Sequence, residues 1–249
     1  MVSGWNLWFL GYPERALERM AAATEIANSG SRPMLADIHG FASYVHELRG
    51  EPDLMKARAA ARLAITTESG YAAGRALSEI YLGWADAKAG DHAGGIARMR
   101  RYMAEMKATG SEYITDRGLA FIALALASMK RFDESLRTLD EAFSFVEKSG
   151  LRFYEAELHR LKGELMLARS ASNTAAAEQS FRTAIEISRK QHARSWELRA
   201  TTSLARLLAK RRKRAEGRAM LAEIYHWFTE GFDTADLKEA RALLDEPGG

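Results

Sequence analysis

Two histidines, His39 and His46, stand seven residues apart, a spacing that shares one face of a helix. Imidazoles so placed could ligate a metal, but a site would need a third ligand from another element. His46-Glu47 is followed by Leu48-Arg49-Gly50, so the His-Glu-x-x-His pattern lacks its second histidine. The carboxylate pairs Asp140/Glu141 and Glu155/Glu157 could share acid–base work only if burial drove their pKa values apart. On alanine-rich helices they are expected to be solvated or paired with Lys or Arg. No Gly-x-Ser-x-Gly elbow and no Gly-rich loop with Gly-Lys-Ser/Thr occurs. Cysteine is absent, which removes disulfides, thiol nucleophiles, iron–sulfur clusters and thiolate zinc sites. The residue types therefore argue against an enzyme, and no catalytic, metal-binding or cofactor-binding residue is assigned.

The sharpest charge feature is Lys210-Arg211-Arg212-Lys213-Arg214. It could contact nucleic acid or anionic lipid. No aromatic residue is interleaved for base stacking, and cations at a helix C-terminus complement the dipole. A structural role is expected, and nucleic acid is disfavoured as a partner. The formal net charge of +3 carries no global field for polyanions.

These side chains must be positioned by helices. Among 249 residues there are 44 alanines but only 13 valines and isoleucines together, too few β-branched residues for a large sheet. A small residue, a bulky one four later and a third three after that recur as Ala16-Met20-Ala23, Ala57-Ala61-Ala64, Gly95-Met99-Tyr102, Ser135-Leu139-Ala142, Ala177-Phe181-Ala184 and Gly217-Leu221-Ile224. Each triplet lines one helix face, where the small residue admits a neighbouring helix. The all-alanine set has the least defined register. Breaks such as Gly50-Glu51-Pro52, Gly90-Asp91, Lys130-Arg131 and Arg211-Arg212-Lys213 alternate with Gly30, Gly70, Gly110, Gly150 and Gln191-His192-Ala193 half a period away. Two breaks in roughly 40 residues mean two helices per unit, the signature of a helical solenoid.

The expected fold is all-α: a single domain over 1–249 forming a right-handed α-solenoid of about six tetratricopeptide-like hairpins. Helices are expected over 3–10, 13–29, 33–49, 52–69, 72–89, 91–109, 112–129, 131–149, 152–169, 173–191, 195–210 and 213–230. A C-terminal capping helix over 234–245 would start at Asp233 or Thr234 and bury Leu237, Ala240, Leu243 and Leu244. The first repeat reads as truncated, with Trp5, Leu7, Trp8, Phe9 and Leu10 making an apolar edge. That edge calls for further repeats upstream, for a partner such as a second copy in a homodimer, or for the aromatics to fold onto the second helix as a cap. The longest uncharged apolar stretch, Gly118 to Met129, is about half a membrane span. With no signal-peptide pattern at the N-terminus, a cytoplasmic location without membrane contact is expected.

The stretch Leu82-Gly83-Trp84-Ala85 with Gly90-Asp91 and Gly95 resembles the tetratricopeptide pattern, at a longer period. Three further segments carry a narrower resemblance: residues 152–165 (Arg152-Phe153-Tyr154-Glu155 through Glu164-Leu165), Ser195-Trp196-Glu197-Leu198-Arg199-Ala200, and Trp227-Phe228-Thr229-Glu230-Gly231-Phe232-Asp233-Thr234. They are similar to the C-terminal tetratricopeptide-like region of bacterial fusions of a class III adenylate/guanylate cyclase with an AAA ATPase. The resemblance implies a non-catalytic scaffold or sensor. Its partner would be a protein or peptide, or the upstream domains of a longer chain, and no cofactor would be needed. Neither the cyclase nor the ATPase motif is in this chain.

In such an array the first helix of each pair lines a concave surface. With Leu158, Leu161 and Leu165 as a packing stripe, Glu155, His159, Lys162 and Met166 fall beside it. His39, His46, Trp84, Arg199 and Arg206 are the equivalent groove candidates elsewhere.

Overall fold

A computed structural model describes residues 4–246, and among these every regular element is helical. In chain order the helices are α1 (Gly4–Phe9), α2 (Pro13–Asn28), α3 (Arg32–Leu48), α4 (Pro52–Glu68), α5 (Ala72–Lys88), α6 (His92–Ala108) and α7 (Thr115–Ser128). They continue as α8 (Phe132–Ser149), α9 (Glu155–Arg169), α10 (Thr174–Lys190), α11 (Arg194–Lys210), α12 (Arg214–Tyr225) and α13 (Ala235–Asp245). A short 3-10 turn, Ala171–Asn173, precedes α10. The expected boundaries hold within a residue or two except at three places. Helices α7 and α9 each start three residues later than expected. Helix α12 stops at Tyr225 because the chain then turns Trp227 and Phe228 into a core cluster with Leu221 and Leu237.

Most of the connections share one cap geometry. At Gly50, Gly70, Gly90, Gly110 and Gly150 the backbone turns left-handed. At Gly50 the amide donates to Glu47 O (3.0 Å) and that of Glu51 to His46 O (2.9 Å), closing a Schellman turn. Lys130 (φ 63°), His192 (φ 54°) and Arg212 (φ 61°) take the same place without glycine. Their amides, and those of Arg131, Ala193 and Lys213, make the same pair of bonds. These three breaks thus use the same turn without glycine, at a steric cost of about 1–2 kcal/mol each, whereas α9 ends at an extended Ser170.

Contacts divide the described chain into two compact units, one of residues 4–5 and 15–145, the other of 6–14 and 146–246. In the first unit α3, α4, α5, α6 and α7 pack on their chain neighbours, and α3 with α5 and α5 with α7 also touch directly. Odd-numbered helices therefore form an inner row. Eleven of the seventeen residues of α5 are buried, against three of the seventeen of α6. The second unit repeats the scheme: α9, α10, α11 and α12 pack in sequence, α9 touches α11, and α11 touches α13.

The small-residue stripes sit where helices cross. Gly95, Ala177 and Gly217 are buried, as are Met99, Phe181 and Leu221 four residues on. Phe181 is fully buried against Ala200, Leu204 and Leu208, each such apolar side chain contributing about 1.5–3 kcal/mol. The second triplet is a correction. Ala57 and Ala64 face solvent, and the buried stripe is Met55, Ala59, Arg62 and Thr66. A run of alanines carries no size contrast from which to choose the register.

Of the N-terminal apolar edge, Trp8 and Phe9 are buried while Leu10 stays exposed. In the second unit Trp8 is 1% exposed and Phe9 9%. The Trp8 ring meets Trp196 edge-on at 4.8 Å, and Phe9 lies against Trp196 (5.6 Å) and Phe153 (6.3 Å). Ser195 Oγ donates to Trp8 O (2.5 Å), and the Gly231 amide donates to Glu14 Oε1 (2.7 Å). Side chains of this chain cover the two rings. The edge was legible as apolar, but its cover lies almost two hundred residues away. At the other end Thr234, not Asp233, caps α13, accepting from the Leu237 amide, and Leu237, Ala240 and Leu244 are buried while Leu243 is only partly so.

Candidate functional site

The densest polar array of the second unit lies where α9, α11 and α13 meet. On α9, Glu157, Arg160 and Glu164 form one stripe at i, i+3 and i+7. Arg160 holds Glu157 with two parallel bonds, Nε to Oε2 and Nη2 to Oε1, both 2.7 Å. Burial opposes the charge on Arg160, but Glu157, Glu164 and Asp236 outweigh it and hold the guanidinium protonated well above its ordinary range. Ser203 of α11 donates to Glu164 Oε1 (2.6 Å) and accepts from Arg160 Nη1 (3.4 Å).

Arg199 and Arg206 rise one above the other on α11. The Arg199 guanidinium lies 4.9 Å from the Trp8 ring centre and 5.0 Å from that of Trp196, and its Nε donates to Asp236 Oδ2 (2.8 Å). Arg206 Nη2 meets Glu239 Oε1 at 2.9 Å and Glu164 Oε1 at 3.8 Å. Its Nε is buried without a hydrogen-bond partner. These groups wall a pocket of about 140 Å³ lined by Arg160, Arg199, Thr202, Arg206, Asp236 and Glu239. Aromatic contacts orient Arg199 and a fork-shaped pair orients Arg160, while four carboxylates, Glu157, Glu164, Asp236 and Glu239, lie within ion-pair distance of the three guanidinium groups.

The expected stripe of α9, residues 155, 159, 162 and 166, lies on another face of that helix and lines no part of this pocket. Glu155 accepts from Arg152 Nη1 (2.8 Å). His159 and Lys162 are half-buried, and burial first, then the Lys162 charge, lowers the His159 pKa to about 4. Met166 packs on the Ala177–Phe181 cluster and so faces α10. Of the nine groove candidates, Arg199 and Arg206 line the pocket. Arg160, Thr202, Asp236 and Glu239 did not stand out in the sequence reading. The signal available for Arg160 was the Glu-x-x-Arg-x-x-x-Glu spacing of residues 157–164, whereas Asp236 and Glu239 join only through tertiary packing.

The first unit holds the other three candidates apart. His46 is buried and its Nδ1 meets Glu51 Oε2 at 2.7 Å, while Arg49 Nε donates to the other oxygen of Glu51 (2.8 Å), tying the end of α3 to the start of α4. His39 is partly buried, and burial and then Arg58 lower its pKa. Trp84 stacks flat on Phe121 (4.8 Å, 2°) with Lys88 Nζ 5.3 Å from its ring. The odd helices of this unit also bury a cluster absent from the sequence reading. Arg117 of α7 sits 3.7 Å from the Tyr44 ring centre and 5.4 Å from that of Tyr81. Beside it Asp116 is fully buried, its pKa raised by burial, with Oδ1 accepting from the Arg117 amide (2.8 Å). No group of three or more His, Asp or Glu among the described residues is placed to hold a metal ion.

The basic run is largely answered by carboxylates. Arg211 pairs with Glu178, Lys213 with Glu216 (3.8 Å) and Arg214 with Glu246 (3.5 Å), while Arg212 occupies the left-handed turn position. No described helix is long and apolar enough to cross a membrane.

No known family profile matches the chain. An uncharacterized protein of Rhizobium meliloti (strain 1021) is 26% identical over 209 aligned positions, which cover 81% of this chain and 20% of the relative. The chain thus spans about a fifth of the length of that relative. Among solved structures the apo form of RapI superposes with a TM-score of 0.54 at 13% identity, covering 97% of this chain and 92% of that one. The likeness establishes the fold as a tetratricopeptide-like helical repeat.

Proposed function

We propose that the chain is a non-catalytic, cytoplasmic scaffold of a bacterial signalling protein, taking a peptide or partner domain on the surface made by α9, α11 and α13 of the second unit. The observation that carries this reading is the arginine-lined pocket on α9, α11 and α13. Its polar groups are oriented by their neighbours on three helices. A helical repeat of this kind supports a protein-interaction role. The test is quantitative affinity capture from the source bacterium with the wild type and with Arg206→Glu. A specific partner should be retained by the first and lost by the second. An identical set of captured proteins refutes the reading.

A second reading is that the array acts within a longer polypeptide, on cyclase or ATPase domains upstream. It is favoured by one observation, that the chain matches only a fifth of its long relative. If it holds, the array and the remainder of that relative, expressed as separate chains, co-purify.

A further inference from the structure

Residues 8–14 sit on the second unit as a peptide sits on a receptor. Their contacts place them in that unit, whereas residues 15–145 belong to the first. Trp8 lies between the Trp196 ring (4.8 Å) and the Arg199 guanidinium (4.9 Å). Phe9 packs on Trp196 and Phe153, and Tyr12 lies 5.6 Å from Trp227, whose ring has Arg194 at 5.3 Å. Both ends of the segment are tied through the backbone. Ser195 Oγ donates to Trp8 O, the Gly231 amide donates to Glu14 Oε1, and the Glu14 amide donates to Glu230 Oε1 (3.0 Å). Leu10, between the two anchors, stays exposed. The fit is close on both sides: a Cβ on Gly11 would lie 2.5 Å from the Trp227 ring, and one on Gly231 would lie 2.1 Å from Pro13 Cγ. Helix α1 has six residues, far below the ~12–15 at which a helix holds by itself, so its order comes from what it packs on.

We propose that these elements form a binding seat for an aromatic segment of the type Trp-Phe-x-Gly-Tyr-Pro-Glu, and that residues 8–14 are a resident ligand exchangeable for the same segment of a second copy of the chain. An identical copy presents identical side chains, so exchange forfeits no contact, and reciprocal exchange closes a two-fold dimer. The exchange point lies between Glu14 and Arg15, where the chain passes from one unit to the other. Within one chain the resident segment is favoured by its tether, which sets an effective concentration of about millimolar. The dimer therefore grows with protein concentration. The seat is independent of the α9–α11–α13 pocket and shares with it only Arg199.

The experiment adds a fluorescein-labelled peptide of residues 4–15 to the full chain carrying Trp8→Ala and Phe9→Ala, which empties the aromatic part of the seat. Anisotropy is expected to show saturable binding, and the Tm of the variant should rise toward that of the wild type as peptide is added. The wild type, whose own segment competes from its tether, should bind the peptide about a hundred-fold more weakly. A peptide carrying Gly11→Ala should lose binding, because its Cβ meets the Trp227 ring. If circular dichroism shows the double variant unfolded, Glu14→Ala, which cuts only the exposed tie, takes its place in the same titration. Sedimentation velocity of the wild type at rising concentration should show a dimer that the double variant, or Glu14→Ala in its stead, forms less readily. A folded variant that does not bind the peptide, equal binding by wild type and variant, or equal binding of the Gly11→Ala peptide overturns the seat. A wild type that stays monomeric at every concentration overturns the second copy as its occupant.

Discussion

Gly95 is the position at which the packing argument meets its most demanding test. A Cβ built on it lies 2.4 Å from Gly83 O and 2.9 Å from both Ala87 Cβ and Ala87 N, so the obstacle is the backbone of α5 rather than a movable side chain. Replacing glycine by alanine inside a helix contributes about 1 kcal/mol through propensity. Overpacking a close crossing costs about 1–3 kcal/mol or more, and an immovable carbonyl puts this site at the upper end. Gly95→Ala is therefore expected to destabilise the chain by about 2 kcal/mol net, lowering Tm by roughly 4–8 °C at this chain length. Gly118→Ala is the internal control. Its Cβ meets only Met103 Sδ (2.8 Å) and Cε (3.2 Å), the far end of a flexible thioether that can swing aside. The control is expected to lie within about 1 kcal/mol of wild type. Thermal melts followed at 222 nm compare the three proteins. If Gly95→Ala melts at or above the wild-type temperature, α5 and α6 do not cross at this point and the small-residue stripe has been misread.

Three further outcomes are expected. Arg212→Gly removes the steric penalty of a left-handed residue and should raise stability by about 1 kcal/mol in urea titration, as should His192→Gly; a loss at both positions would contradict the cap geometry. Glu157→Gln strands the part-buried Arg160 and should cost about 3 kcal/mol, whereas the apolar pair Glu157→Leu with Arg160→Met should recover most of it, both read by chemical denaturation. His159 binds its proton only near pH 4 in the fold but at its ordinary 6.5 when unfolded, so the unfolded chain takes up the proton first. Its contribution to stability is complete above pH 6.5 and is lost as the pH falls toward 4. Tm should drop across that window, less than the full shift implies because the ring is half-exposed, and His159→Gln should flatten part of the drop.

Local chemistry made the helical architecture readable. Glycine and proline punctuation at half-period spacing marks helix ends because left-handed caps and first-turn prolines are decided within a few residues. The stripes at 95–102, 135–142, 177–184 and 217–224 could be placed because small and bulky residues contrast there. Where contrast was missing, at 57–64, so was the register. Leu158, Leu161 and Leu165 could likewise be set apart as a packing stripe by their spacing alone.

Tertiary structure decided what local spacing cannot encode. Trp8 and Phe9 are capped by Trp196 and Phe153, and Arg199 and Arg206 became a pocket only when α13 brought Asp236 and Glu239 to them. The choice between the 155–159–162–166 stripe and the 157–160–164 stripe turned on which face of α9 looks toward α11. Both stripes are partly polar, and helical periodicity does not distinguish a charge bound for solvent from one bound for a partner on another helix. The sequence thus defined the repeating unit through interactions within and between adjacent helices. The side chains that face one another across non-adjacent helices followed from the geometry of stacking.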